Sequence, residues 1–130
     1  MRHEREEIRL PELNPPLSHY TDAVRFGNLL FISGIAPLDA EGKLVAEGVE
    51  EQTRQILLAM QKILETAGAG FENVLRVTVY LTDVNDRPKI NPIRKEFFGE
   101  TRPASTLIGV NELAIPGMKV EIEAIAGLPD

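Results

Sequence analysis

Lys119-Val-Glu-Ile-Glu-Ala-Ile-Ala126, close to the C-terminus, is the stretch that decides the fold of this chain. Side chains of a β-strand point alternately to two faces, so every second residue shares a face. One face of this stretch is wholly apolar and predicts a strand packed on a core. The apolar face consists of Val120, Ile122, Ala124 and Ala126, and the opposite face carries Glu121, Glu123 and Ile125. Two carboxylates therefore lie on one side of an otherwise apolar strand.

Two further runs predict a β-hairpin earlier in the chain. Ala23-Val-Arg-Phe26 and Leu29-Leu-Phe-Ile-Ser33 flank Gly27-Asn28, a dipeptide suited to a two-residue turn with positive φ. The second run is apolar on both faces, which favours a central position in the sheet. Residues 43–47 follow turn-forming residues and predict a short edge strand.

The middle of the chain predicts two helices separated by a strand. Apolar residues recur at three- and four-residue steps over residues 49–67, and Gly68 supplies a left-handed stop. Residues 75–82 alternate as a strand does, and residues 88–98 fit a second helix if Pro92 lies near its first turn. The stretch from Thr101 to Val110 predicts one more strand. The order of elements therefore predicts an α+β fold, with two helices packed on one face of a mixed six-stranded sheet.

The other face of this sheet lacks a covering layer. We expect Leu107 and Ile125 to lie on it, among polar residues. An apolar sheet face left open to water calls for a partner surface.

Size and composition limit the class of protein. The 130 residues, 43% of them hydrophobic, suit a single domain spanning 1–130. The absence of cysteine excludes thiolate chemistry and fits a reducing compartment. The N-terminus is charged, and no window approaches the ~20 apolar residues of a membrane span. We therefore expect a soluble, cytoplasmic protein without a membrane partner.

Charge and motifs argue against other partners. The net charge of −6 disfavours nucleic acid, and we interpret the basic residues within 87–95 as the solvated face of a helix. His3 and His19 lack convergent carboxylates, so we predict no metal site. A nucleophile elbow and a phosphate-binding loop are both missing, so no cofactor is expected.

Several blocks, in matching order and spacing over about residues 14–126, resemble the Rid (YjgF) family of reactive-intermediate deaminases. The resemblance implies a chorismate-mutase-like (bacillar) fold. It also implies a homotrimer whose sheet faces line a central barrel and whose active sites lie between subunits. The blocks are the segment from Tyr20 to Pro37, Glu51-Gln-Thr-Arg-Gln55, Ala67-Gly68, Val77-Thr-Val-Tyr-Leu-Thr-Asp83, Ile90-Asn91 with Phe97-Phe98, and the C-terminal stretch from Thr101.

The resemblance also implies a site. Glu121 matches the family glutamate that activates water, which partial burial would suit by raising its pKa. Tyr20, Ser33, Gly34 and Asn91 match positions around the bound ligand. Each has a structural alternative. Glu121 and Glu123 could form a solvated acidic stripe beside Lys119, Ser33 could end a strand, Tyr20 could cover the hairpin, and Asn91 could occupy the first turn of the second helix.

One position departs from the family pattern. Members that hydrolyse imines of amino acids carry an arginine after the Pro-Ala pair, where this chain has Ser105. A hydroxyl lacks the permanent charge and bidentate geometry with which arginine holds a carboxylate. Arg102 lies three residues earlier, on the opposite strand face, and can compensate only if the chain bends at Pro103. Ser105 itself either binds substrate or is merely a polar strand residue.

We therefore predict a hydrolase that releases ammonia from an enamine or imine. The substrate should differ from 2-aminoacrylate, for example an aminomuconate-like or other catabolic enamine. The alternative is a non-catalytic small-ligand-binding or chaperone-like homologue. The family's endoribonuclease label fits poorly with the acidic charge balance and the lack of a histidine pair or basic groove.

Overall fold

The computed structural model describes residues 4–129, which form one six-stranded sheet and two α-helices. The strand order is β1-β2-β3-β6-β4-β5, and every pair is antiparallel except β4 and β5. The predicted α+β class is confirmed. The elements are β1 (Arg5–Ile8), β2 (Ala23–Phe26), β3 (Leu29–Ile35), α1 (Val49–Thr66), β4 (Val74–Leu81), α2 (Arg87–Phe98), β5 (Ala104–Gly109) and β6 (Val120–Gly127), with 3₁₀ turns at Phe71–Asn73 and Val84–Asp86.

Strand β6 lies between β3 and β4 in the middle of the sheet, and its alternation is confirmed. Buried and half-buried residues alternate along its whole length. Val120 and Ile122 are 0% and 1% exposed, and both belong to the core beneath the helices. The hairpin is also confirmed: β2 and β3 pair around Gly27, whose φ of 61° is the left-handed value that glycine adopts readily.

Both helices pack on the core face of the sheet. Helix α1 ends at Thr66, and Gly68 has the expected positive φ of 77°. Helix α2 corrects one expectation, because Pro92 is its sixth residue rather than part of the first turn. Since proline has no N–H, α2 lacks one helical hydrogen bond there. Neither helix within residues 4–129 has the length and apolarity needed to cross a bilayer.

The edge of the sheet differs from the prediction. Residues 43–47 do not form a strand, and only one isolated bridge joins Leu38 and Leu44. The outer strand next to β2 is instead β1, which the charged N-terminal sequence concealed. Charged side chains suit an edge strand because one side of it remains in water. Arg9, just after β1, is ion-paired to Asp22 at 2.7 Å. His3 lies outside the described residues.

The second face of the sheet is open and partly apolar. Val24, Phe31 and Ile125 are register neighbours across β2, β3 and β6, and Phe31 is 44% exposed. Leu107 is not on this face, contrary to the prediction. It is in register with the buried Val79 of β4, so the two side chains share a face, and it packs against the core.

Gln52 links helix α1 to the chain entering β6. It is fully buried, and its Nε2 donates to the carbonyl oxygens of Ala46 and Gly117, each at 2.9 Å. Its Oε1 accepts from the Lys119 amide at 2.8 Å. One side chain therefore satisfies three backbone groups and fixes the start of the strand that carries Glu121.

We expect Gln52→Leu to lower the free energy of unfolding by about 2–4 kcal/mol, because three backbone groups lose their partner in a buried place. Urea denaturation at a fixed protein concentration measures this. Gln61→Leu, at an exposed position of the same helix, is the control and should change stability little. Equal effects of the two substitutions would contradict the assigned role.

Candidate functional site

Glu121 is the half-buried acid of the open sheet face. Within residues 4–129 its carboxylate has no hydrogen bond or ion pair. Burial raises the pKa of Glu121 above its ordinary value, and the negative charge of Glu123 raises it further. A carboxylate without a partner and with a raised pKa is suited to accept and return a proton.

Gly34 makes room for this carboxylate. Between Ile32 and Ile35, strand β3 advances three residues while β6 advances two, so Ser33 and Gly34 lie in a β-bulge. A Cβ atom at Gly34 would lie 2.5 Å from Glu121 Oε2. The bulge and the missing side chain together let the acid lie against the backbone of β3.

A cleft of about 310 Å³ opens above this contact, and we call it the Glu121 cleft. Tyr20, Ser33, Gly34 and Glu121 all line it, so four of the residues selected from the sequence are adjacent. The hydroxyl of Ser33 donates to the Thr21 carbonyl at 2.6 Å and holds the cleft wall in place. The Tyr20 hydroxyl accepts from the Leu17 amide at 3.2 Å, while its ring remains 43% exposed.

Glu123 differs from Glu121 although both lie on the same face. The Tyr80 hydroxyl donates to Glu123 Oε1 at 2.8 Å. This hydrogen bond is the main cause that raises the pKa of Tyr80. Glu123 therefore already has a partner and acts as a structural acid.

A second cleft of about 540 Å³ lies between the C-terminal half of α2 and the start of β5, and we call it the Ser105 cleft. Asn91, Arg102 and Ser105 line it. Arg102 precedes the first residue of β5, so strand alternation does not turn it away from Ser105. Asn91 is the fifth residue of α2, past the first turn.

Arg94 is the residue of this cleft that the sequence analysis missed. It lies one helical turn after Asn91, and its Nη2 donates to Ser105 Oγ at 3.0 Å. Burial lowers the pKa of Arg94 below its ordinary value. The interpretation of the basic residues at 87–95 as a solvated face holds for Arg87 and Lys89, which are exposed, and is wrong for Arg94. The sequence feature that could have indicated this is the three-residue spacing between Asn91 and Arg94, which puts both side chains on one face of a helix.

The two clefts lie on opposite sides of the sheet in one chain. Ser105 is in register with Val77, and Val77 with Ala124, so Ser105 belongs to the helix-covered face. Glu121 belongs to the open face, two strands away. Across residues 4–129, no three His, Asp or Glu side chains converge as metal ligands would.

Comparison with known proteins gives consistent relatives. The family model described as Endoribonuclease L-PSP matches residues 12–128. A RutC family protein of Pyrococcus horikoshii is 43% identical over 93% of this chain and 97% of its own length. The human 2-iminobutanoate/2-iminopropanoate deaminase is 40% identical over 82% of this chain and 78% of its own length.

A solved structure agrees with the fold. RidA from the Antarctic bacterium Psychrobacter sp. PAMC 21119 superimposes with a TM-score of 0.89 at 31% identity, covering 95% of this chain and 99% of that one. The chain therefore belongs to the endoribonuclease L-PSP family, the Rid (YjgF) family that its motifs resemble.

Proposed function

We propose that this protein is a deaminase that hydrolyses a reactive imine or enamine to a carbonyl compound and ammonia, without a cofactor. The half-buried, unpartnered carboxylate of Glu121 beside Gly34 is the observation that carries the proposal. The human relative is named as a deaminase of 2-iminobutanoate and 2-iminopropanoate, which supports the reaction class.

The proposed reaction needs one group that takes up and releases a proton. An enamine first tautomerises to the imine, by protonation at carbon. The Glu121 carboxylate then accepts a proton from water as the water oxygen bonds to the imine carbon, and it returns that proton to the imine nitrogen to give the carbinolamine. Glu121 next accepts the hydroxyl proton as the C=O bond forms, and it passes this proton to the amino nitrogen as the C–N bond breaks and ammonia leaves. Glu121 thus ends in its starting, deprotonated state.

We further propose that the active assembly is a homotrimer in the cytoplasm, with a small molecule as its ligand and no nucleic acid or membrane partner. On the open face Phe31 is exposed beside the half-buried Val24 and Ile125, and these apolar neighbours support a covering copy of the chain. Contact between copies would also bring the Glu121 cleft of one protomer to the Ser105 cleft of the next. Since Ser105 is not arginine, 2-aminoacrylate and 2-iminopropanoate should be turned over slowly.

Glu121→Gln should lower kcat at least about 100-fold, because the proton acceptor of the attacking water is lost. The matched control is Glu123→Gln, which removes a carboxylate from the same strand face and should retain most activity. Ammonia release from imines generated in situ, with 2-iminobutanoate in the panel, measures both. Full activity of Glu121→Gln would remove the assigned role of Glu121, whereas absence of ammonia release by the wild type from every imine of the panel would favour the non-catalytic binder.

The pH profile gives an independent check on Glu121. The base must be deprotonated, so kcat/KM should rise with pH through the pKa of Glu121. Because burial and Glu123 raise this pKa, the acid limb should have its midpoint above the ordinary value for glutamate. A limb at or below that value would contradict the assignment.

Gly34→Ala should fold but lose activity at least about tenfold, since small displacements of a catalytic group are costly. The added Cβ would meet the end of a flexible side chain, so Glu121 can move away at little cost in stability. In a Glu121→Gln background the same substitution should cause no further loss. Gly48→Ala, whose Cβ would meet only an ordinary contact at 3.7 Å, is the control. Equal losses in both backgrounds would contradict this coupling.

A shared site can be tested with mixed assemblies of two inactive variants. Glu121→Gln removes the acid, and Ser105→Trp fills the Ser105 cleft. If each site uses one half from each of two neighbouring subunits, a 1:1 mixture should regain about a quarter of wild-type activity. Mixed assemblies verified by native mass spectrometry that stay inactive would exclude a shared site.

A further inference from the structure

Arg94 is a half-buried cation that lacks an acidic partner. No carboxylate of residues 4–129 lies within 4.0 Å of its guanidinium, the distance of an ion pair. Three other arginines are ion-paired, namely Arg5 with Glu7, Arg9 with Asp22, and Arg54 with Glu96. Arg76, Arg87 and Arg102 also lack an ion pair within residues 4–129 but are exposed to water, whereas Arg94 is half-buried. A charge withdrawn from water without a counter-charge costs free energy, and an anion from outside can offset that cost.

The contact between Arg94 and Ser105 prepares a place for an anion. Nη2 of Arg94 donates to Ser105 Oγ at 3.0 Å, so the serine hydroxyl serves as acceptor there and keeps its own proton to donate. Hydrogen bonding to a cation polarises that hydroxyl. The guanidinium lines the cleft and forms no other hydrogen bond within residues 4–129. Ser105 and Arg94 thus present donors from β5 and from α2 respectively.

The charge of the cleft wall fits the same ligand. Three basic residues, Arg94, Lys95 and Arg102, line the Ser105 cleft. Glu100 is the acidic residue in the lining. Three cations against one anion give this wall a positive charge on a chain whose net charge is −6. The cleft volume of about 540 Å³ suits a small organic acid.

We propose that Arg94 binds the carboxylate of the substrate, together with the hydroxyl of Ser105. This deepens the proposed function, on which it rests, by making the substrate an imino or enamino acid. The cation comes from helix α2 instead of strand β5, so it holds the acid at a different place from a strand arginine. The protein can therefore bind the carboxylate of its substrate at Arg94 and still turn over 2-iminopropanoate slowly.

Arg94→Met should weaken binding of 2-oxobutanoate and of 4-oxobutanoate at least tenfold, measured by isothermal titration calorimetry on the full chain. These oxo acids match possible products and are stable in solution. Binding of butan-2-one, which has no charge, should be unchanged by the substitution. Arg94→Lys should recover part of the affinity, because it keeps the charge without the planar fork. Ser105→Ala should weaken the binding of both acids by a smaller factor than Arg94→Met does.

Arg87→Met is the matched control, because it removes the same charge from an exposed position of the same helix. It should bind both acids as the wild type does. Equal effects of the two Met variants would overturn the proposal. So would loss of butan-2-one binding in Arg94→Met, or failure of the wild type to bind either acid. In kinetic assays Arg94→Met should raise KM for 2-iminobutanoate and leave kcat largely unchanged.

The binding experiment is independent of the deaminase proposal. Loss of acid binding in Arg94→Met, combined with an active Glu121→Gln, would leave the anion site standing and remove the proposed role of Glu121. If Glu121→Gln is inactive and Arg94→Met binds both acids normally, the proposed role of Glu121 stands and the anion site at Arg94 is removed.

Discussion

The structure depends on the strict alternation of strand β6. Its two neighbours, β3 and β4, fix the strand on both sides by backbone hydrogen bonds, so its faces cannot exchange without disrupting both pairings. Every second side chain is driven into the core by the hydrophobic effect. Glu121 is therefore held on the open face by the burial of Val120 and Ile122, which never touch the cleft.

The same constraint explains why two acids on one strand differ. Tyr80 is in register with Glu121 but gives its hydroxyl to Glu123. Glu121 instead lies against the bulge at Ser33 and Gly34, where its carboxylate occupies the space that a side chain at Gly34 would fill. The acid is desolvated by packing and repelled by Glu123, and both effects favour its protonated form. Local geometry, more than residue type, separates the candidate base from the structural acid.

Sequence periodicity was sufficient wherever one face of an element is buried in the core and the other is not. It predicted both faces of β6, the hairpin around Gly27 and helix α1 because hydrophobic burial determines those patterns. It failed at the periphery. Strand β1 is charged because an edge strand need not be buried, and residues 43–47 had no neighbouring strand to pair with. Leu107 was placed on the wrong face because β5 has no alternation of buried and exposed residues that would fix its phase.

The candidate site was predictable only in part, for a related reason. The family resemblance selected Tyr20, Ser33, Gly34 and Glu121, and all four line one cleft. Ser33, Gly34 and Glu121 converge because β3 and β6 are hydrogen-bonded neighbours, and Tyr20 lies in the segment before β2. The contact between Arg94 and Ser105 joins a helix to an edge strand, and its formation depends on how α2 packs. The spacing between Asn91 and Arg94 indicates a shared helix face, but it does not tell whether that face is solvated or turned into a cleft.

The placement of the two clefts limits how any substrate can use them. Ser105 shares a face with Val77 and Ala124, whereas Glu121 shares the other face, and β4 lies between β5 and β6. Adjacent strands are about 4.8 Å apart, so roughly 10 Å of backbone separates the two positions in addition to the thickness of the sheet. A small imino acid cannot touch both groups of one protomer. If Arg94 holds the carboxylate and Glu121 delivers water, the two must come from different copies. The apolar open face beside Glu121 then serves both to hold the copies together and to complete the chemistry.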